Sequence, residues 1–174
     1  MRNNTSLTGR ERSFGENDVI VTKTDLKGHI TYANRVFLGI SELKLDDAIG
    51  APHSLIRHPD MPRCVFKLLW ERIESGKEIF AYVLNRAFSG DHYWVFAHAT
   101  PSYTADGRLC GYHSNRRTPR KSAIEAVIKP LYAELRAIEQ KHADRKQGMN
   151  MAYAALMQKL TDGGTDYDRF VFSI

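Results

Sequence analysis

The sequence predicts an α+β fold, a five-stranded antiparallel sheet with helices covering one face, followed by a C-terminal helical extension. Three observations predict it. Two short β-branched runs stand at Val19–Lys23 and Ile30–Ala33. Three longer strand-like runs stand at about 79–87, 91–101 and 108–117. The helical signals fall between these two groups and again after the second, giving the order ββ, several helices, βββ.

Each element has a local reason. Residues 1–17 are polar and read as a cap or flexible lead, with Leu7 and Phe14 available for docking. Asp25-Leu26-Lys27-Gly28-His29 carries turn chemistry, which makes the first two strands a hairpin. Asn34 stands at an N-cap position ahead of a short helix with Val36, Phe37 and Ile40 on one side. Pro62 suits the first turn of a longer helix, where a missing N–H is no loss, and Ser75-Gly76 stops it. Its buried face carries Val65, Leu68, Leu69 and Ile73. Ser89-Gly90-Asp91 and Ala105-Asp106-Gly107 join the last three strands as hairpins.

Beyond Ser122, the residues Ile124, Val127, Ile128, Leu131, Leu135 and Ile138 recur at three and four, an apolar stripe on a charged helix. Pro130 is expected to kink that helix, and Gly148 with Asn150 to break the helical run a second time. The stripe packs within the molecule, forms a dimer contact or docks to another protein; amphipathicity alone does not choose. Phe170-Val171-Phe172-Ser173-Ile174 is an apolar terminus that docks back on the sheet or binds another protein.

Composition narrows the function classes. A chain of 174 residues with 43% hydrophobic side chains has room for one ordinary domain and an appendage. It contains no run approaching the roughly 18 apolar residues of a membrane span, and Met1-Arg2-Asn3-Asn4-Thr5 lacks the apolar core of a signal peptide. A cytoplasmic protein is expected. Cys64 and Cys110 make neither a disulfide framework nor a zinc spacing. The net charge of +5 is spread among acidic residues, and its densest run, Arg116-Arg117-Thr118-Pro119-Arg120-Lys121, reads as a solvated joint, so no nucleic-acid partner is expected. There is no phosphate-cradling glycine loop, nucleophile elbow or metal-ligand pair at helical spacing, which argues against an enzyme.

One corner concentrates polar chemistry. Arg57-His58-Pro59-Asp60-Met61-Pro62 sets two cationic or titratable groups, a carboxylate and two imino acids directly before the helix that carries Trp70. Such a corner suits a flat, polar ligand.

These residues lie among segments that, together, resemble a known family. Thr24-Asp25-Leu26, Ile30-Thr31-Tyr32-Ala33-Asn34, the hexapeptide from Arg57 to Pro62, Trp70, Asn85-Arg86, Gly90-Asp91-His92-Tyr93-Trp94-Val95 and Gly111-Tyr112 are similar in order and spacing to the PAS domain of aerotaxis-receptor-type proteins. The resemblance implies a PAS sensor domain over residues 18–118, between an N-terminal cap or lead at 1–17 and a helical extension at 119–174. It implies non-covalent FAD binding and no catalysis. Ala126-Val127-Ile128-Lys129-Pro130-Leu131-Tyr132 is similar to the linker that follows the domain in those receptors. In plan the chain looks closest to stand-alone PAS subunits of bipartite energy-taxis systems, which implies a membrane-bound chemotaxis transducer as partner, a homodimer, or both, and a protein peripheral at the membrane through a receptor partner.

For FAD, the expected cofactor-binding residues are Asn34, Arg57, His58, Asp60, Trp70 and Asn85. Asn34 and Asn85 offer donor and acceptor together, matching a ring edge whose demand changes on reduction. Arg57 bonds the ring edge or a phosphate oxygen, His58 assists, and Trp70 supplies a wall. Asp60 orients Arg57 or His58, or caps the following helix. Each has a plain alternative: Asn34 as only a cap, Trp70 as only core. Tyr93, Trp94 and Val95 alternate, so either Trp94 or its neighbours face the ligand. Relatives often carry an aromatic early in the strand that here reads Ile79-Phe80-Ala81-Tyr82-Val83; that contact is lost, or replaced by Phe80 or Tyr82. Haem is the rival cofactor, with His53, His58, His92, His98 or His113 as axial ligand. A cofactor-free dimerisation or interaction module is the rival from another class. Cys64 lies outside the motif that light-driven flavin chemistry needs.

Overall fold

The structure, a computed structural model, describes residues 6–174. The Met1–Thr5 stretch that argued against a signal peptide lies outside the described residues. Ile20–Thr24 (β1) and Ile30–Ala33 (β2) pair as the expected hairpin. Its turn closes because Asp25 Oδ1 accepts from the backbone N–H groups of Lys27 (2.9 Å) and His29 (2.8 Å), while Gly28 adopts a φ of 80°. Helix α1 (Arg35–Ser41) is capped by Asn34, whose Oδ1 accepts from Phe37 N–H at 3.0 Å. A short helix α2 (Leu45–Ala48) and a 3-10 turn (His53–Ile56) lead into the hexapeptide. Helix α3 (Arg63–Glu74) begins directly after Pro62 and ends at Ser75-Gly76, with Gly76 left-handed.

Strands β3 (Ile79–Arg86), β4 (His92–Tyr103) and β5 (Leu109–Arg117) complete a five-stranded antiparallel sheet in the order β2-β1-β5-β4-β3. Opposed residues in an antiparallel pair share a face, so the register decides orientation. Asn85 opposes Tyr93, Val83 opposes Val95 and Ala81 opposes Ala97 on the inner face. Phe80, Tyr82, Leu84, Trp94 and Phe96 lie on the outer face. Trp94 therefore turns away from the ligand side. Phe80 and Tyr82 do too, so neither supplies an aromatic contact on the inner face.

The C-terminal extension covers this outer face. It comprises α4 (Lys121–Ala123), a π turn (Ile124–Ile128), α5 (Lys129–Gln140), α6 (Arg145–Asp162) and α7 (Tyr167–Ser173). Tyr132 donates its hydroxyl to the Tyr82 carbonyl at 2.6 Å, and its ring lies 6.0 Å from that of Trp94. Phe172 packs edge-on against Phe80 at 4.7 Å, so the apolar terminus docks back on the sheet. Ile124, Ile128, Leu131 and Leu135 are buried, each worth about 1.5–3 kcal/mol of apolar burial. The amphipathic stripe is consumed inside the molecule.

The ladder is interrupted just before Pro130, where the turn widens into the π turn, and the helical path then runs on through α5. One expectation about the tail is corrected: Gly148 is no break. It lies within α6 against the backbone of Glu139, and a Cβ there would collide with the Glu139 carbonyl. The actual break precedes Asp144, which caps α6 by accepting from Lys146 N–H (2.7 Å) and Gln147 N–H (3.3 Å).

Glu139 ties the tail to the domain. Fully buried, it accepts from Cys64 N–H (2.9 Å) and Arg63 Nε (3.2 Å), satisfying donors at the start of α3 that Pro62 has no side chain to cap. Asp60, a candidate for that cap, instead stays exposed and pairs with Arg136 of α5 at 3.3 Å.

A second tie joins the 3-10 turn to the sheet. His53 Nε2 accepts from Arg116 Nη2 at 2.8 Å and lies 3.2 Å from Thr22 Oγ1. Burial, and then the Arg116 charge, hold the His53 pKa down to about 3.

Two outcomes are expected. Gly148→Ala should cost about 1–3 kcal/mol of unfolding free energy by overpacking the α5–α6 contact, read in denaturant melts; a neutral result would refute the close approach. His53 stays neutral when folded but takes a proton below about pH 6.5 when unfolded, so stability should fall as pH drops from about 6.5 towards 3. One proton sets a limit of about 1.4 kcal/mol per pH unit. His53→Gln should flatten the slope between about pH 6.5 and 5; an unchanged slope would remove His53 from the account.

Candidate functional site

A cavity of about 260 Å³ lies between α3, the start of the hexapeptide and the inner face of the sheet. Its floor is made by small or short residues of the central strands, Ala97, Ala99, Ser114 and Thr22, which leave room above the sheet. Phe66, Leu69 and Trp70 form one apolar wall, because spacings of three and one keep them on one side of α3. Trp70 meets Tyr112 edge-on at 5.5 Å. It also lies against Gly28, where a Cβ would stand 3.1 Å from the indole. Lys27, Pro52 and Ser54 are the exposed part of the lining.

Arg57 and Asn85 meet in this cavity through an isolated antiparallel bridge between their backbones. The Arg57 guanidinium lies 3.7 Å from the Phe66 ring centre, and burial lowers its pKa. Two polar atoms here, Asn85 Nδ2 and Arg57 Nε, are buried without a hydrogen-bond partner among the described residues. An unbonded buried donor is costly, so both atoms are open to an acceptor from outside the chain.

Three of the six expected site residues, Arg57, Trp70 and Asn85, come together in this cavity. The other three do not. Asn34 is used entirely by the backbone around it: its Oδ1 also accepts from Val21 N–H (3.1 Å), and its Nδ2 donates to the Val19 carbonyl (2.7 Å). His58 and Asp60 line a different groove, beside Trp94, Tyr132 and Arg136. There His58 Nδ1 accepts from Asp60 N–H (3.1 Å), its ring meets His92 at 5.9 Å, and burial lowers its pKa. Of the two groups Asp60 was expected to orient, its carboxylate lies beside His58 Nδ1 (3.8 Å), and it also pairs with Arg136.

The cavity also contains residues whose role the sequence did not signal. Arg116, read as part of a solvated basic run, is buried and faces inward beside Thr22 and His53. Alternation along β5, which places Tyr112, Ser114 and Arg116 on one face, was the signal that could have found it. Of the histidines weighed as haem ligands, His53 and His113 line the cavity, but their Nε2 atoms contact Arg116 and Asn115 (3.0 Å) respectively. His58 and His92 line the other groove, and His98 pairs with Glu78 at 2.7 Å. Cys64 lies outside the cavity lining, its thiol pushed up to about 12 by burial and then by Glu139. Among the described residues no group of three or more His, Cys, Asp or Glu is placed to hold a metal ion, and no helix is long and apolar enough to cross a membrane.

Comparisons with known proteins agree with this geometry. The sequence profile of the PAS fold matches residues 30–116, half of the chain. The aerotaxis receptor of Escherichia coli (strain K12) is 36% identical over 131 residues, which take in 75% of this chain and 26% of the receptor. The chain thus spans about a quarter of that relative's length. A PAS domain from Colwellia psychrerythraea superposes with a TM-score of 0.54 at 18% identity, over 59% of this chain and 87% of that one. A light-oxygen-voltage domain studied with a flavin analogue gives 0.57 at 16%, over 67% and 87%. A blue-light activated histidine kinase from Erythrobacter litoralis gives 0.56 at 14%, over 71% and 39%. At such identities the last three establish a shared architecture only. The chain belongs to the PAS fold family, with a PAS domain of the aerotaxis-receptor type.

Proposed function

We propose that this chain is a cytoplasmic redox or energy sensor that binds FAD non-covalently and relays the cofactor's redox state to a chemotaxis-type signalling partner. The observation that carries the reading is the pair of orphaned donors, Asn85 Nδ2 and Arg57 Nε, facing a cavity walled by Phe66, Leu69 and Trp70. These residues fit a flat ring with hydrogen-bond acceptors along one edge. At about 260 Å³ the cavity lies just below the roughly 300–1,000 Å³ usual for small-molecule sites, which suits the ring alone. The rest of the dinucleotide would pass out by the exposed lining at Lys27, Pro52 and Ser54.

A bound flavin supplies a reversible redox centre whose hydrogen-bonding edge changes when it is reduced and protonated. The chain's own part is to read that edge. Asn85 presents an amide that can donate or, after rotation, accept, while Arg57 donates only. Arg57 and Asn85 are coupled by their backbone bridge, and the next residues of the corner hold α5: Arg136 donates to the Pro59 carbonyl and pairs with Asp60. A change at the ring edge therefore has a contiguous route to the tail. For signalling, the occupant's two redox states must favour different arrangements of that route. The relation to the aerotaxis receptor supports a transducer-type partner, with or without a homodimer.

The purified full chain should be yellow and should release FAD on denaturation. Asn85→Leu should weaken FAD about tenfold, in line with the roughly 1–3 kcal/mol carried by a buried donor's bond. The melting temperature of the ligand-free protein should not fall, since the variant removes an unsatisfied group. A colourless preparation that resists FAD reconstitution would sink the proposal in favour of a cofactor-free module; a red one would turn it to haem.

A further inference from the structure

The cavity lining holds three cationic side chains, Lys27, Arg57 and Arg116, and no carboxylate among the described residues. Two of them have other surroundings to satisfy their charge. Lys27 is exposed to water, and Arg57 lies over the Phe66 ring. Arg116 has neither. It is 6% exposed, and its guanidinium meets Thr22 Oγ1, 3.0 Å from both Nη1 and Nη2, and His53 Nε2 at 2.8 Å. Both partners are neutral, since the folded His53 does not protonate near neutral pH.

Neutral dipoles offset only part of the cost of taking a guanidinium out of water. Burial lowers the pKa of Arg116 to about 10, still high enough to keep the charge at neutral pH. The cavity thus contains a permanent buried cation with no counter-charge among the described residues. Thr22 and His53 aim it, Thr22 from β1 and His53 from the 3-10 turn, both beside the small floor residues where a ligand would lie.

We propose that Arg116, held by Thr22 and His53, is an anion-binding subsite of the cavity, and that the occupant presents negative charge to it. This deepens the flavin reading and, in its flavin arm, rests on it. An oxidised flavin ring is neutral; on taking two electrons from a reductant and one proton from solvent, it carries one negative charge. Arg116 then favours the reduced ring over the oxidised one. The second possible source of the same charge is a small carboxylate lying in the cavity by itself.

The test uses the full chain, Arg116→Gln, which keeps hydrogen bonding without charge, and Arg116→Lys, which keeps the charge. Binding of oxidised FAD, of FAD reduced anaerobically with dithionite (itself oxidised to sulfite), and of succinate is measured by calorimetry. The flavin potential and the melting temperature of the ligand-free proteins are measured alongside. The native chain should prefer reduced FAD, and Arg116→Gln should lose about tenfold of that preference, read as a potential lower by about 30 mV for a two-electron couple. Arg116→Lys should keep most of it. Ligand-free Arg116→Gln should melt no lower than the native chain, because it sheds an uncompensated buried charge.

Succinate binding that Arg116→Gln abolishes, in a native chain that takes no flavin, would uphold the subsite and overturn the flavin reading. An unchanged potential together with unchanged succinate affinity would overturn the subsite and leave FAD binding intact. Arg116→Gln that fails to fold or melts lower would show the residue to be structural and overturn the proposal, as would a native chain that binds none of the probes.

Discussion

Strand β3 has to serve two interiors at once, because successive side chains of a strand point to opposite faces. Its odd-numbered residues, Ile79, Ala81, Val83 and Asn85, build the inner side, and Phe80, Tyr82 and Leu84 build the floor on which the tail rests. A slip of one residue would exchange the two sets and ruin both layers. The eight consecutive pairs with β4, from Ile79 opposite Ala99 to Arg86 opposite His92, hold the register against that. The cavity and the C-terminal helices are thus two faces of one strand, and neither can be redesigned alone.

The hexapeptide repeats this division on a smaller scale. Arg57 turns towards the cavity, whereas His58 and Asp60 turn to the groove below α5. Proline at 59 and 62 limits the backbone freedom of the stretch, so movement on one side is poorly absorbed before it reaches the other. Glu139 reinforces the link by supplying, from α5, a carboxylate that the start of α3 uses. These contacts make the tail part of the folded unit.

Much of the architecture was legible because it rests on local chemistry. The hairpin could be read from β-branched runs around Asp25–Gly28, α1 from Asn34, and the last three strands from their turns. Inside and outside were less legible, since alternation gives two faces without saying which is buried. Trp94 shows this: its placement waited on the pairing of Leu84 with Trp94. The site was half legible for a related reason. Arg57, Trp70 and Asn85 share one cavity, but Asn34 fits the alternative reading as a cap, and His58 and Asp60 share the hexapeptide with Arg57 yet line its other side. Arg116 was hidden by its neighbours, because a run of cations reads as surface until strand geometry turns one of them inward. Gly148 misled for the opposite reason: glycine signals a break in sequence, yet here it allows two helices to touch.

The Cys64 thiol has a consequence for how the chain meets oxidants. Burial, and then Glu139, push its pKa up to about 12, so the reactive thiolate is scarce at neutral pH. Peroxide and disulfide reagents act on the thiolate, so this sulfur is chemically quiet as well as sterically enclosed. Cys110, on the surface, is the sulfur that such reagents can reach. Of the two cysteines, thiol oxidation is therefore directed to Cys110 near the start of β5 and away from the junction between α3 and the tail.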